Sequence, residues 1–293
     1  MNGFLSTLKP PGMTSFAVVG RIRHMLPRGT RIGHAGTLDP QAAGVLPIMI
    51  GRATRLFDYT TDKTKTYLVE FVPGIETDTQ DTTGRIIRRS RTDVTQTEIE
   101  ALIPRFTGDI EQIPPMYSAL KRDGKRLYEL ARAGENIERE PRIVHVEHIH
   151  VCFAESGHFF LEVTCGRGTY MRTLCHDIGL ALGSAGCMGA LLRTSAGPFD
   201  IRDCLPLEAL DCDDPEAVIR AHLYPMDSPL EHLPRLDVPG EMAERHVRAG
   251  MPVPCGGNDV PESVPVRIYW NNRFCGLAHR EGKVCIYDCM LLE

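Results

Sequence analysis

A single tryptophan, 6% aromatic residues and only six lysines stand in a chain of 293 residues. No apolar run approaches the roughly 20 residues that a helix needs to cross a bilayer. The richest, Ala42 to Ile50, is short and holds Pro47, so no membrane attachment is expected. The ten cysteines include no pair at the two-residue spacing of a zinc knuckle or redox dithiol. Free, mostly buried thiols in a reducing cytoplasm are the expectation. The start of the chain reaches Lys9-Pro10-Pro11-Gly12 before any apolar stretch of signal-peptide length, so no targeting segment is expected. Repeats and low-complexity tracts are missing too, which excludes solenoids and linker-rich chains.

What is present suits a globular protein: 42% hydrophobic and 24% charged residues, enough to bury a large core or a main domain with a smaller one. The net charge of -5 hides an asymmetry. Residues 1 to 60 carry seven Lys and Arg against two Asp and Glu, a net of +5; residues 201 to 293 carry nine against sixteen, a net of -7. Opposite local fields can therefore coexist on one molecule. Arginine outnumbers lysine by 27 to 6, which suits bidentate phosphate contacts. A codon bias would produce the same excess, so it carries little weight.

The apolar spacing predicts mixed α and β structure. Phe16 to Leu26 has a helical period, opened by Thr14 or Ser15 and ended by Pro27. Val69 and Phe71 alternate around Glu70 as in a strand, before the turn-rich Glu76 to Gly84. Thr95 and Glu98 form a capping-box signature ahead of Ile99, Leu102, Ile103 and Phe106. Arg142 to Phe153 and Phe159 to Cys165 are strand-like, and the second runs through Gly166 to Thr169 into a helix beginning near Met171. Such a junction presents the unsatisfied N–H groups of a first helical turn. After Pro234 the segments shorten and read as a small all-β module, joined through the acidic stretch Asp211 to Glu216 and prolines 225, 229 and 234.

The most unusual stretch is Gly33-His34-Ala35-Gly36-Thr37-Leu38-Asp39-Pro40. Pro40 biases Asp39 toward an extended backbone, and the glycines permit close approach of a ligand or another segment. Alone, an Asp-Pro step reads as a structural Asx turn, Tyr67 as a core residue and Arg172 as a surface charge.

Taken together and in order, the segments resemble the TruB family of tRNA pseudouridine synthases over nearly the whole chain. The resemblance rests on Lys9-Pro10-Pro11-Gly12-Met13-Thr14-Ser15, the Gly33 to Pro40 loop, Lys65-Thr66-Tyr67, the run Pro114 to Lys121, and Gly124 to Arg132. It continues through Gly168-Thr169-Tyr170-Met171-Arg172 and Leu191 to Phe199. It implies an α+β fold: a catalytic domain, residues 1–233, on a mixed, largely antiparallel sheet with flanking helices and an RNA-gripping insertion at about 121–142. A small all-β PUA-like RNA-binding domain, residues 234–293, would follow.

It further implies that Asp39 is the catalytic aspartate, that Tyr67 stacks on the target uracil, and that Arg172 pairs with Asp39. His34 would hold the RNA with its base turned out, and Leu191 would line the uracil pocket. Lys9, Arg55, Tyr170, Lys121, Lys125, Arg126 and Arg132 would contact RNA. Three departures are Arg55 where relatives often have Lys, Cys165-Gly166 in place of Cys-Ser, and Leu192 where the family often has Arg.

These residue types fit the chemistry. The uridine must break its N1 to C1' bond, keep the uracil, turn it and rejoin it through C5. A hydrolytic glycosidase places two carboxylates across the bond; here no water is activated, and one carboxylate with a later proton acceptor suffices. Whether Asp39 attacks C1', adds to the ring or abstracts a ribose proton stays open. The expected substrate is the T stem-loop of tRNA, at position 55, with no metal, cofactor or guide RNA, in a cytoplasmic monomer. A guide-RNA-dependent synthase and an RNA-binding tRNA chaperone without turnover are the alternatives. A Cys/His metalloprotein would need a second matched ligand pair.

Overall fold

The body is built on an eleven-stranded mixed sheet in a computed structural model that describes residues 1–60, 64–118, 120–122, 124–135, 137–239, 241–255, 260–262 and 264–292. Its main path runs Leu205–Pro206, Gly3–Lys9, Ala43–Ile50, Gly186–Ala196, Lys65–Pro73, His158–Cys165, Arg142–Glu155 and Gly108–Gln112. Most neighbours are antiparallel, but Gly186–Ala196 lies parallel to Ala43–Ile50 and antiparallel to Lys65–Pro73. That central strand joins the two halves of the sheet, setting Arg193 beside Gly44 on one side and Tyr67 on the other.

The elements follow from local chemistry. In Lys65–Pro73, Tyr67, Val69 and Phe71 point to one buried face, as the period of two requires. The helix Ser15–His24 is capped by Thr14, whose hydroxyl accepts from the Ala17 N–H at 3.0 Å. It buries Val18, Val19 and Ile22 against Leu46, Ile48 and Ile50, each such side chain contributing roughly 1.5–3 kcal/mol. The helix Met171–Ala181 buries Leu174, Cys175 and Ile178 against Val69, Phe71 and Val163 on the other half of the sheet. The capping box of Thr95 and Glu98 is present at the start of Gln96–Leu102.

The C-terminal region forms a second sheet, ordered Arg235–Asp237, Val266–Trp270, Arg273–Glu281, Val284–Met290 and Val253–Pro254, around its own core of Val247, Val253, Ile268 and Cys285. The helix Glu241–Ala249 accompanies it, an element that the short-strand reading did not include. This region is fastened to the body: Leu277, Cys289 and Leu291 pack with Phe4, Val45, Leu56 and Leu230, Arg52 donates to the Leu291 carbonyl at 2.9 Å, and the Tyr269 hydroxyl meets Asp227.

All ten cysteines are free thiols, seven of them buried. Among the described residues, no helix is long and apolar enough to cross a membrane.

Candidate active site

The loop that carries Asp39 leaves the short strand Ile32–His34 and returns in Ala43–Ile50, its antiparallel neighbour. It is pinned at several backbone points. Ser15 Oγ donates to the Leu38 carbonyl at 3.1 Å and accepts the Leu38 N–H at 2.9 Å; the Ala35 N–H donates to Pro47 O at 2.9 Å and the Gly12 N–H to Pro40 O at 2.7 Å. Gly36, at φ +101°, makes a turn that a side chain would strain. Fixed at both ends, the loop holds a carboxylate that would otherwise be mobile.

Arg172, in the first turn of Met171–Ala181, meets that carboxylate with two nitrogens: Nε lies 2.9 Å from Asp39 Oδ2 and Nη2 donates to Oδ1 at 3.3 Å. The same guanidinium donates to the Tyr117 carbonyl at 2.9 Å. Its side chain is 6% exposed while that of Asp39 is 38% exposed, so the pair is fixed from the protein side and open on the carboxylate side. Burial pushes the Asp39 carboxyl above its ordinary range; Arg172 pulls it back down, and the nearby charge of Asp81 adds to the push. The result is an oriented carboxylate with an open face, suited to act on a bound molecule.

Tyr67 and Leu191 are both buried and belong with Leu38 to one apolar cluster. The expected aromatic and the expected pocket-lining leucine therefore belong to the apolar cluster that includes Leu38 of the Asp39 loop. Burial pushes the Tyr67 phenol up, and the nearby positive charge of Arg193 pulls the other way. His34 ends the strand leading to the loop, and its Nδ1 is buried without a hydrogen-bond partner. Burial, with Arg193 nearby, lowers its basicity and favours the neutral ring.

The other expected contacts divide. Tyr170 is half-buried at the start of Met171–Ala181, its backbone clamped by Gln112, which accepts from the Tyr170 N–H at 2.9 Å and donates to its carbonyl at 3.3 Å. Arg55 is exposed, yet one of its nitrogens donates to the Met290 carbonyl and so fastens the C-terminal strand. Lys9 requires a correction. It is fully buried, and its ammonium donates to Met13 O at 2.6 Å, Pro10 O at 2.9 Å and Pro40 O at 3.1 Å. An ammonium enclosed by carbonyls cannot reach a phosphate; Lys9 braces the Asp39-Pro40 step from beneath. Burial lowers it to about 8, against the pull of Asp39.

Lys121, Lys125, Arg126 and Arg132 have side chains outside the described residues. Their backbone forms a two-stranded ribbon, Lys121–Arg122 with Lys125–Arg126, apart from the main sheet, followed by the helix Leu127–Arg132. A depression of about 350 Å³ reaches His34 past Phe16, Phe57 and Arg23. It shares Arg23, Ile32 and Thr54 with a larger one of about 840 Å³ that is also lined by His24, Arg28 and Arg31. This basic groove gives the positive N-terminal charge of the sequence a location.

Two side chains at the site escaped the sequence reading. Asp81 lies 3.9 Å from Arg172 Nε and is 15% exposed. It is held in its turn by Thr79 Oγ1 at 2.8 Å and by the Thr83 N–H at 3.0 Å. It looked like one acid among the turn residues Glu76 to Gly84. Arg193 is the largest fully buried side chain among the described residues. The motif Leu191 to Phe199 contained it, but an arginine on a strand gives no local sign of facing inward.

With this geometry in place, comparison with known proteins identifies its kind. The model of the TruB family pseudouridylate synthase N-terminal domain matches residues 23–171. The model of the tRNA pseudouridylate synthase B C-terminal domain matches residues 172–231. A protein of Stutzerimonas stutzeri named tRNA pseudouridine synthase B is 42% identical over 97% of this chain and 94% of its own length. Its namesake in Dehalococcoides mccartyi is 39% identical over 96% and 93%. Among solved structures, the crystal structure of a Cbf5-Nop10-Gar1 complex aligns with a TM-score of 0.75 at 26% identity, covering 98% of this chain and 84% of that one.

Proposed function

The chain belongs to the TruB family of pseudouridylate synthases, and on that premise we propose that it isomerises the uridine at position 55, in the T arm of tRNA, to pseudouridine. The pseudouridine synthase activity on tRNA follows from the family and its relatives; the position, independence from a guide RNA, a cytoplasmic monomer and the residue roles are our reading. The observation that carries those roles is the two-nitrogen grip of the nearly buried Arg172 on the half-open Asp39.

In this reading the target uridine is turned out of the RNA, at a cost of a few kcal/mol that stacking and hydrogen bonds to the base edge offset. Tyr67 supplies the ring, Leu191 the apolar wall, and neutral His34 helps to hold the RNA with the base turned out. Asp39, held by Arg172, acts on the nucleoside so that the N1 to C1' bond breaks. The uracil turns, C5 bonds to C1', and the C5 proton leaves to Tyr67, directly or through a water, while N1 regains a proton. Nothing is gained or lost overall, so no second carboxylate and no hydrolytic water are required. Attack at C1', addition to the ring and abstraction of a ribose proton all start from an ionised, oriented Asp39. Tyr170, Arg55 and the basic groove around Arg23, Arg28 and Arg31, with Lys121, Lys125, Arg126 and Arg132 of the insertion, would bind phosphates and stem.

The test is to treat an unmodified tRNA transcript with the purified protein alone and map pseudouridine by carbodiimide adducts and primer extension. A single modified position at 55 is expected. Modification elsewhere contradicts the assigned position, and modification that appears only when a guide RNA is added contradicts the stand-alone reading.

A further inference from the structure

Arg193 sits where two parts of the site meet, and nothing so far accounts for a guanidinium with no exposed surface. Burying a charge is costly unless its donors are satisfied, so its partners are informative. Nε donates to the Val45 carbonyl at 2.7 Å, at the return from the catalytic loop. Nη2 donates to the Gly36 carbonyl at 3.1 Å, three residues before Asp39. The strand register sets Arg193 directly opposite Tyr67 on the neighbouring strand, close enough for its charge to act on the phenol. The backbones approach tightly at Gly44, where a Cβ would stand 2.2 Å from the Arg193 carbonyl oxygen, while one on Gly36 would be in ordinary contact with Arg193 Nη1 at 3.5 Å.

A buried phenol is a poor proton acceptor, because its ionised form lacks solvation. A guanidinium stays charged at any working pH, so one fixed against the phenol favours the form that accepts a proton. The planar fork can meanwhile hold the loop carbonyls, which an ammonium cannot do in the same geometry.

We propose that Arg193 is a positioning residue that ties the Asp39 loop and the Tyr67 ring to one buried guanidinium, keeping bond cleavage and removal of the C5 proton in register. It touches neither the reacting atoms nor the RNA. The inference rests on the proposed roles of Asp39 and Tyr67 and assigns the cation that makes the second one workable.

The experiment compares wild type, Arg193→Lys and Arg193→Met in single-turnover conversion of saturating tRNA bearing protium or deuterium at uridine C5, with folding checked by circular dichroism and tRNA affinity by filter binding. Arg193→Lys keeps the charge and loses the fork: the rate should fall about tenfold or more, with tRNA affinity within about twofold and the isotope effect as in wild type. Arg193→Met loses both: the rate should fall further, and the C5 isotope effect should rise as proton removal becomes limiting. A merely structural role would not move the isotope effect.

If folded Arg193→Met shows the wild-type rate and isotope effect, the proposal is overturned while the synthase reading stands. If Arg193→Met does not fold, Arg193→Lys decides, and a wild-type rate for it overturns the proposal. Absence of turnover by wild type removes both readings together.

Discussion

At Asp39 two opposing effects set the pH response. Burial raises the carboxyl and outweighs the pull of Arg172, so the ionised form appears only above the ordinary carboxylate range. The turnover rate should therefore fall as pH is lowered through a limb displaced upward from that of a free aspartate. Single-turnover rates between pH 4 and 8 check this, and a limb at or below the free value would contradict it. Arg172→Lys keeps the charge without the fork; it should fold normally and lose about 10²-fold in rate, an amount typical of small misplacements. Tyr67→Phe should retain tRNA affinity and lose release of the C5 proton. The sequence displayed Asp39 through its glycine-flanked loop and proline. It did not display the partnership with Arg172, 133 residues away, except by resemblance to a family. Lys9, assigned to RNA by resemblance, is instead enclosed, because the catalytic loop packs over it and surrounds its ammonium with carbonyls.

Elements with strong local signals are where sequence and structure agree most closely. The capping box at Thr95 and Glu98 is one: side chain and backbone satisfy each other within four residues. Thr95→Ala should cost about 1 kcal/mol in urea unfolding without changing activity. The central strand Gly186–Ala196 is the contrary case. Paired on both sides and covered by the helix Met171–Ala181, it lacks a simple alternation, and its glycines break the apolar run. Its dependence on close backbone approach suggests a second variant, outside the reacting residues. Gly44→Ala places a Cβ 2.2 Å from the Arg193 carbonyl at φ +113°. It should destabilise the protein by roughly 2–4 kcal/mol, seen as an earlier urea midpoint. A midpoint like that of wild type would mean that the two strands can part without cost.

Across the whole molecule, a net charge of -5 coexists with a positive N-terminal sixty residues and a negative C-terminal third. The basic groove by Arg23, Arg28 and Arg31 lies near His34, so RNA affinity should follow the local field and fall steeply with salt. Lys125→Ala should weaken binding to all tRNAs alike and reduce the slope of log affinity against log salt by about 1. The acidic C-terminal region is fastened to the body by Arg52 and Arg55, contacts between residues more than 200 positions apart that no local pattern announces. The central claim is that an oriented Asp39 drives uridine isomerisation in tRNA by this protein alone. The most direct measurement mixes the purified wild type or Asp39→Asn, without added cofactor or metal, with a tRNA transcript tritiated at uridine C5. The account predicts release of one tritium per tRNA by wild type and none by a folded, tRNA-binding Asp39→Asn. Equal release by the two proteins, or none by wild type, would contradict it.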